Sequence, residues 1–269
     1  MSAEVDALSG TVRVSAATSW GDVEDLLAPH DLTLGPIPGW LRASTIAESL
    51  GQPWPQRPSP RYGALRESTL AVTAALPGGL SHASVAPRRA TGPDLPRVSF
   101  GAQGRGGHLR EVVLQAWPQP SRRASLRVEF SDWTRARAEA LGALRSGVQP
   151  ALWCLRAEGE KVALRALFWG GDGLDSSVAR FADGFDSHQN SDAFFEEVLA
   201  PGASRRAARG SYRDRDWLLT VQDDDEVWDL RPEGVTLYAP GTAAASPQDA
   251  AWSELATRLF AAVDGGAAS

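Results

Sequence analysis

Residues 13–34 read RVSAATSWGDVEDLLAPHDLTL, and this stretch sets the fold class of the N-terminal half. Val12 to Ala16 reads as a short strand. Ser19 then has the short oxygen-bearing side chain that caps a helix, and Trp20, Val23, Leu26 and Leu27 recur at helical spacing. Pro29 ends that helix, because its ring fills the space and removes the N–H that a further turn needs. A strand feeding a short amphipathic helix opens an α+β chain.

Outward from there the punctuation changes. Residues 34–60 contain GPIPGW and GQPWPQRPSP, which predict an irregular, extended path. Thr69 to Leu76 is an apolar, β-branched run closed by Pro77-Gly78-Gly79, and Ser81 to Ala86 follows as its hairpin partner. HLREVVLQAW, 108–117, is another strand, and Pro118 and Pro120 end the pattern. Beyond this point Leu126 to Phe130 alternates as a strand. Asp132 caps a helix reaching about Ser146, with Leu141 and Leu144 inward and Gly147 as terminator. Ala151 to Arg156 and Lys161 to Trp169 are strands joined by a tight turn at Glu158-Gly159. Ser191 caps a helix carrying Phe194, Phe195, Val198 and Leu199; strands at Trp217 to Val221 and Gly234 to Tyr238 follow. The order β-α-β-β-α-β predicts a ferredoxin-like unit. Asp249 to Val263 is an amphipathic helix burying Trp252, Leu255, Leu259 and Phe260. The expected division is 1–120, 121–240 and a C-terminal helical segment, 241–269.

Composition narrows the function classes. At 269 residues, 43% hydrophobic and 22% charged, the chain can bury a core of ordinary globular type. Its 27 basic against 33 acidic residues give a net charge of −6, which repels nucleic acid and anionic membrane surfaces; neither is an expected partner. Residues 1–10 lack a basic segment followed by an apolar one, and no apolar run approaches membrane-spanning length, so a cytoplasmic location is expected. The single cysteine, Cys154, lies between Trp153 and Leu155, where a buried strand is expected; no intrachain disulfide can form. The ten tryptophans are scattered singly and read as core anchors.

Six segments in order, RVSAATSWGDVEDLLAPHDLTL, PIPGW, STIAES, RYGALRESTLAVTAALPGG, ATGPDL and FGAQGRGGHLREVVLQAWPQP, resemble the FAD-linked oxidase family, the vanillyl-alcohol-oxidase or PCMH-type FAD-binding fold. That family includes the flavin subunits of D-lactate and glycolate dehydrogenases and alkyl-dihydroxyacetone-phosphate synthase. RLFAAVDGG, 258–266, resembles the family's C-terminal element. The resemblance implies an α+β chain in which 1–120 is the second subdomain of the FAD-binding domain and 121–240 is the substrate cap. It allows FAD as a cofactor, with Gly39, Thr45, Ile46, Gly63, Gly92, Gly101, Gly104 and Gly107 at the matching positions.

The family's pyrophosphate cradle is a glycine-rich loop in the first subdomain, and only glycine lets several amides converge on one anion. The matched segments begin about where that subdomain should already have ended, so the expectation is a chain lacking it. Ala47 and Glu48 replace a glycine pair of the family, and Arg105, Gly106 and His108 stand at positions usually small or aliphatic. A carboxylate beside an anionic cofactor is costly unless paired. The expectation that follows is no bound flavin and a binding or scaffold role. A protein partner, or a second copy, would cover an exposed apolar surface over Pro36 to Pro60. The alternative is a hydroxy-acid dehydrogenase type of FAD-dependent oxidoreductase, completed by a partner chain or holding FAD weakly.

Other constellations carry less. His30, His82, His108 and His188 stand apart from one another, and the Asp183, Asp186, His188 and Asp192 stretch lacks calcium-loop spacing, so no metal site is expected. Asp223 to Glu226 reads as a solvated hairpin tip. SRRAARGSYRDRDW, 204–217, mixes arginines with Tyr212 and Trp217 but also with Asp214 and Asp216, and reads as a charged loop. No serine sits in a nucleophile elbow. No catalytic base is assigned, since in flavin chemistry the cofactor carries the reaction.

Overall fold

The computed structural model describes residues 3–51, 59–75, 81–83, 99–100, 107–145, 147–158, 160–185, 189, 192–199, 218–222, 226–231 and 234–238. It contains two large sheets with helices, an α+β arrangement. The first sheet has five antiparallel strands in the order β1 (Glu4–Asp6), β2 (Thr11–Ser15), β6 (His108–Gln115), β4 (Thr69–Ala75), β5 (Ser81–Ala83). Its register places Val12 opposite Leu114 and Val14 opposite Val112, four buried side chains on one face. Against that face packs α1 (Trp20–Leu27), where Ser19 caps as its type predicts, its side chain accepting from Asp22 N at 3.1 Å. Trp20, Val23 and Leu27 are buried, but Leu26 is 37% exposed, so the apolar stripe is narrower than the spacing suggested.

The proline-rich stretch is less irregular than expected. After β3 (Leu32–Thr33), two short helices form, α2 (Gly39–Arg42) and α3 (Ile46–Gly51). β3 pairs with β7 (Trp117–Pro118), closing a small two-stranded sheet. Leu34, Ile37, Leu41, Ile46 and Leu50 join the same core as Val12 and Trp20. The exposed apolar surface expected from Pro36 is therefore, over its described part to Leu50, largely interior; residues 52–58 lie outside the described residues.

The second sheet runs β13 (Gly234–Tyr238), β12 (Glu226–Arg231), β11 (Leu218–Gln222), β9 (Leu152–Glu158), β10 (Lys161–Gly170), β8 (Arg122–Phe130). β8, α4 (Trp133–Arg145) and β9, with β10 inserted between the two strands, form the split β-α-β half of a ferredoxin-like unit. The other half departs from it. A ferredoxin-like fourth strand would pair with β8; instead β11 pairs with β9, in parallel, through Thr220 opposite Leu155, and β12 and β13 extend that side. β12 begins at Glu226, the last residue of the predicted hairpin tip. Among the described residues, two helices rather than one lie between β10 and β11: α5 (Leu174–Ala182) and α6 (Asp192–Leu199). The opposite edge, β8, is covered where Arg127 and Gln189 exchange backbone hydrogen bonds at 2.7 and 2.8 Å.

β10 explains how the two halves meet. Its sequence KVALRALFWG is a nearly continuous apolar run, which signals a strand buried on both faces. Val162, Leu164, Ala166 and Phe168 face a core shared with α4 and α5, including Trp153, Leu155 and Phe181. Leu167 and Trp169 point the other way and pack with Tyr62, Leu152 and Phe195. Cys154 is buried in β9 as expected. Asp132 caps α4 by accepting from Arg135 N at 2.9 Å, which holds its carboxyl below the usual range, and Gly147 turns the chain out at φ 83°. Leu141 and Leu144 have side chains outside the described ones, and the C-terminal helix 249–263 also lies outside the described residues.

Candidate functional site

Thr45 and Glu48 form a reciprocal capping box at the start of α3. Glu48 N donates to Thr45 Oγ1 at 3.1 Å, while Thr45 N donates to the Glu48 carboxylate at 2.8 Å. The next two amides are also closed onto protein acceptors: Ile46 N donates to Thr18 O at 3.0 Å and Ala47 N to Ala16 O at 2.8 Å. The Ile46 side chain is fully buried among core residues. The acid that looked out of place beside a flavin thus does local structural work, and Thr45 to Glu48 present four consecutive N–H groups already bonded internally.

The other matched positions are split. Gly39 is buried at the first position of α2. Gly63 donates its N–H to Ser59 O at 2.9 Å, and a Cβ there would run into the Glu67 carboxylate, which also accepts from Ala64 N at 2.8 Å. Gly107 leads into β6. Gly92, Gly101 and Gly104 lie outside the described residues, as does His188. The amides of Thr45, Ile46 and Gly63 each have an acceptor within the protein. Among the described residues, no group of His, Cys, Asp and Glu is placed to hold a metal.

A second location has room for a ligand. Where β10 ends, Gly170-Gly171-Asp172-Gly173 turns the chain into α5, and a cavity of about 370 Å³ opens there, within the range of about 300–1,000 Å³ seen for small-molecule sites. Arg61, Arg180 and Asp172 supply its charged groups; Val148, Trp169 and Leu174 supply apolar wall. Arg61 is fixed by donating through Nη1 to Trp169 O and by lying over the Tyr62 ring, 5.4 Å from its centroid. Tyr62 in turn meets Trp117 and Trp169 edge-on at 5.1 and 6.2 Å. The sequence reading missed this place. Its signal was present: an apolar strand, three glycines in four residues, then a helix.

The described architecture is similar to part of a known fold. The chain aligns with the solved structure of an alkyldihydroxyacetonephosphate synthase at a TM-score of 0.60 and 14% identity, covering 73% of this chain and 43% of that one. A second crystal form of such a synthase gives 0.57 and 15%, covering 73% and 44%. In sequence the chain is 27% identical over 147 residues to the mitochondrial D-lactate dehydrogenase (cytochrome) of Arabidopsis thaliana, covering 47% of this chain and 25% of that protein. It is 28% identical over 147 residues to the mitochondrial D-lactate dehydrogenase (cytochrome) 1 of Saccharomyces cerevisiae, covering 53% and 24%. The resemblance to FAD-linked oxidases is therefore real but partial, and the chain spans about a quarter of the length of these dehydrogenases. No protein-family model matches. Among the described residues no helix is long and apolar enough to cross a membrane.

Proposed function

We propose that this chain is a flavin-independent binding protein built on part of the FAD-linked oxidase fold. The observation that carries this reading is the closure of the Thr45 to Glu48 amides onto Glu48, Thr18, Ala16 and Thr45. A flavin approaching this turn would find no free backbone amide from Thr45 to Glu48 to bond it. What the fold retains is a two-sheet scaffold joined through Tyr62 and Trp169, on which a small ligand or a protein partner, including a second copy, can be held. Ile37, Leu41 and Leu50 are buried and offer no apolar surface to such a partner.

The sequence likeness to two D-lactate dehydrogenases favours a second reading, in which a partner chain completes an FAD-dependent oxidoreductase for a small hydroxy acid. The test is the visible absorption spectrum of the purified protein after incubation with excess FAD and desalting. The flavin-independent reading expects a colourless sample. A retained flavin spectrum, at close to one FAD per chain, overturns it.

A further inference from the structure

In a chain of net charge −6, two arginines line the β10–α5 cavity with no carboxylate partner among the described residues. They are Arg61 and Arg180. Arg123 stacks on Trp169, a wall residue, 4.8 Å from the ring centroid. Opposing them, Asp172 lies in the same lining, while Asp175 is already paired with Arg122 at 2.8 Å. The two lining guanidinium groups against one lining carboxylate leave the cavity net positive.

We propose that this cavity binds a phosphate monoester. Guanidinium forks match phosphate oxygens in geometry as well as charge, and Arg61 is pre-oriented by its bond to Trp169 O. A volume of about 370 Å³ holds more than the anion alone. The organic part of the ester rests against Val148 and Leu174, both 5% exposed. The site shares no residue with the Thr45 to Glu48 turn, so it stands or falls independently of whether the chain takes up flavin.

Calorimetric titration of the full chain at low ionic strength, with phenyl phosphate, inorganic phosphate and benzoate as separate probes, tests it. The expected result is one site for phenyl phosphate, with weaker binding of inorganic phosphate and much weaker binding of benzoate. Arg180 is exposed and makes no described contact that the fold needs, so Arg180→Gln should keep the unfolding temperature and weaken phenyl phosphate about 10- to 100-fold. Absence of binding to the unsubstituted chain, or an unchanged Kd in Arg180→Gln, overturns the site. Equal affinity for benzoate overturns the phosphate assignment, and equal affinity for inorganic phosphate overturns the ester.

Discussion

Trp20→Ala is expected to lower the unfolding free energy by about 3–5 kcal/mol, the range for deleting a fully packed aromatic side chain. Trp20 is 1% exposed and anchors the eight-residue α1 to the first sheet. A helix that short has little stability of its own, so its packing residues decide whether it forms. The indole also donates from Nε1 to Ser49 Oγ at 2.8 Å, tying α1 to α3 inside the core. Trp20→Phe separates the two contributions. It keeps most of the buried ring but drops the hydrogen bond, and should cost about 1–3 kcal/mol, less than the alanine variant. Urea denaturation followed by far-ultraviolet circular dichroism measures both. A Trp20→Ala variant within about 1 kcal/mol of the parent, the ordinary effect of a single substitution, would contradict this packing.

Gly35→Ala is the second large effect. Gly35 has φ 89°, and a Cβ built on it would stand 2.8–3.1 Å from three atoms of the Tyr62 ring. Tyr62 cannot simply retreat, because it is held edge-on by Trp117 and Trp169 at the junction of the two halves. Backbone strain of about 1–2 kcal/mol and overpacking of about 1–3 kcal/mol give an expected loss of about 2–5 kcal/mol. Gly147→Ala is the control: φ is 83° there, but nothing lies within 4 Å of the added carbon, so only the backbone part should appear. Equal losses in the two variants would mean that the Tyr62 contact contributes nothing. Thermal and urea unfolding of both, side by side, decides it.

Much of the local structure was legible in the sequence because its causes are local. Ser19 before Trp20, Asp132 before Trp133 and Gly147 after α4 are chemical stop and start signals, and each acts as its residue type predicts. The doubly buried β10 also announced itself, through a run of apolar residues without alternation. The partner of β11 did not. Pairing with β9 or with β8 leaves the same alternation in the strand itself, and only long-range packing chooses between them. The helices α2 and α3 were hidden for another reason: Pro36, Pro38 and Gly39 read as a loop, yet burial of Ile37, Leu41, Ile46 and Leu50 offsets their poor propensity.

The candidate site was legible in a misleading way. Thr45-Ile46-Ala47-Glu48 is a plain capping-box sequence, threonine followed three residues later by glutamate. Set against the family's glycine pair, Glu48 reads as a defect; in the structure it bonds the amide of Thr45. Conversely, Arg61 sits inside a segment that resembles the family, but its role at the cavity depends on Trp169, 108 positions away in sequence, which no local pattern connects to it.

Amide hydrogen exchange at Ile46 and Ala47, with and without saturating FAD, tests the central claim most directly. These two N–H groups are bonded to Thr18 O and Ala16 O within the first core, so slow exchange is predicted in the protein alone, with no change on adding FAD. Fast exchange without FAD that becomes slow in its presence would mean that the amides are available to the cofactor, and would contradict the account.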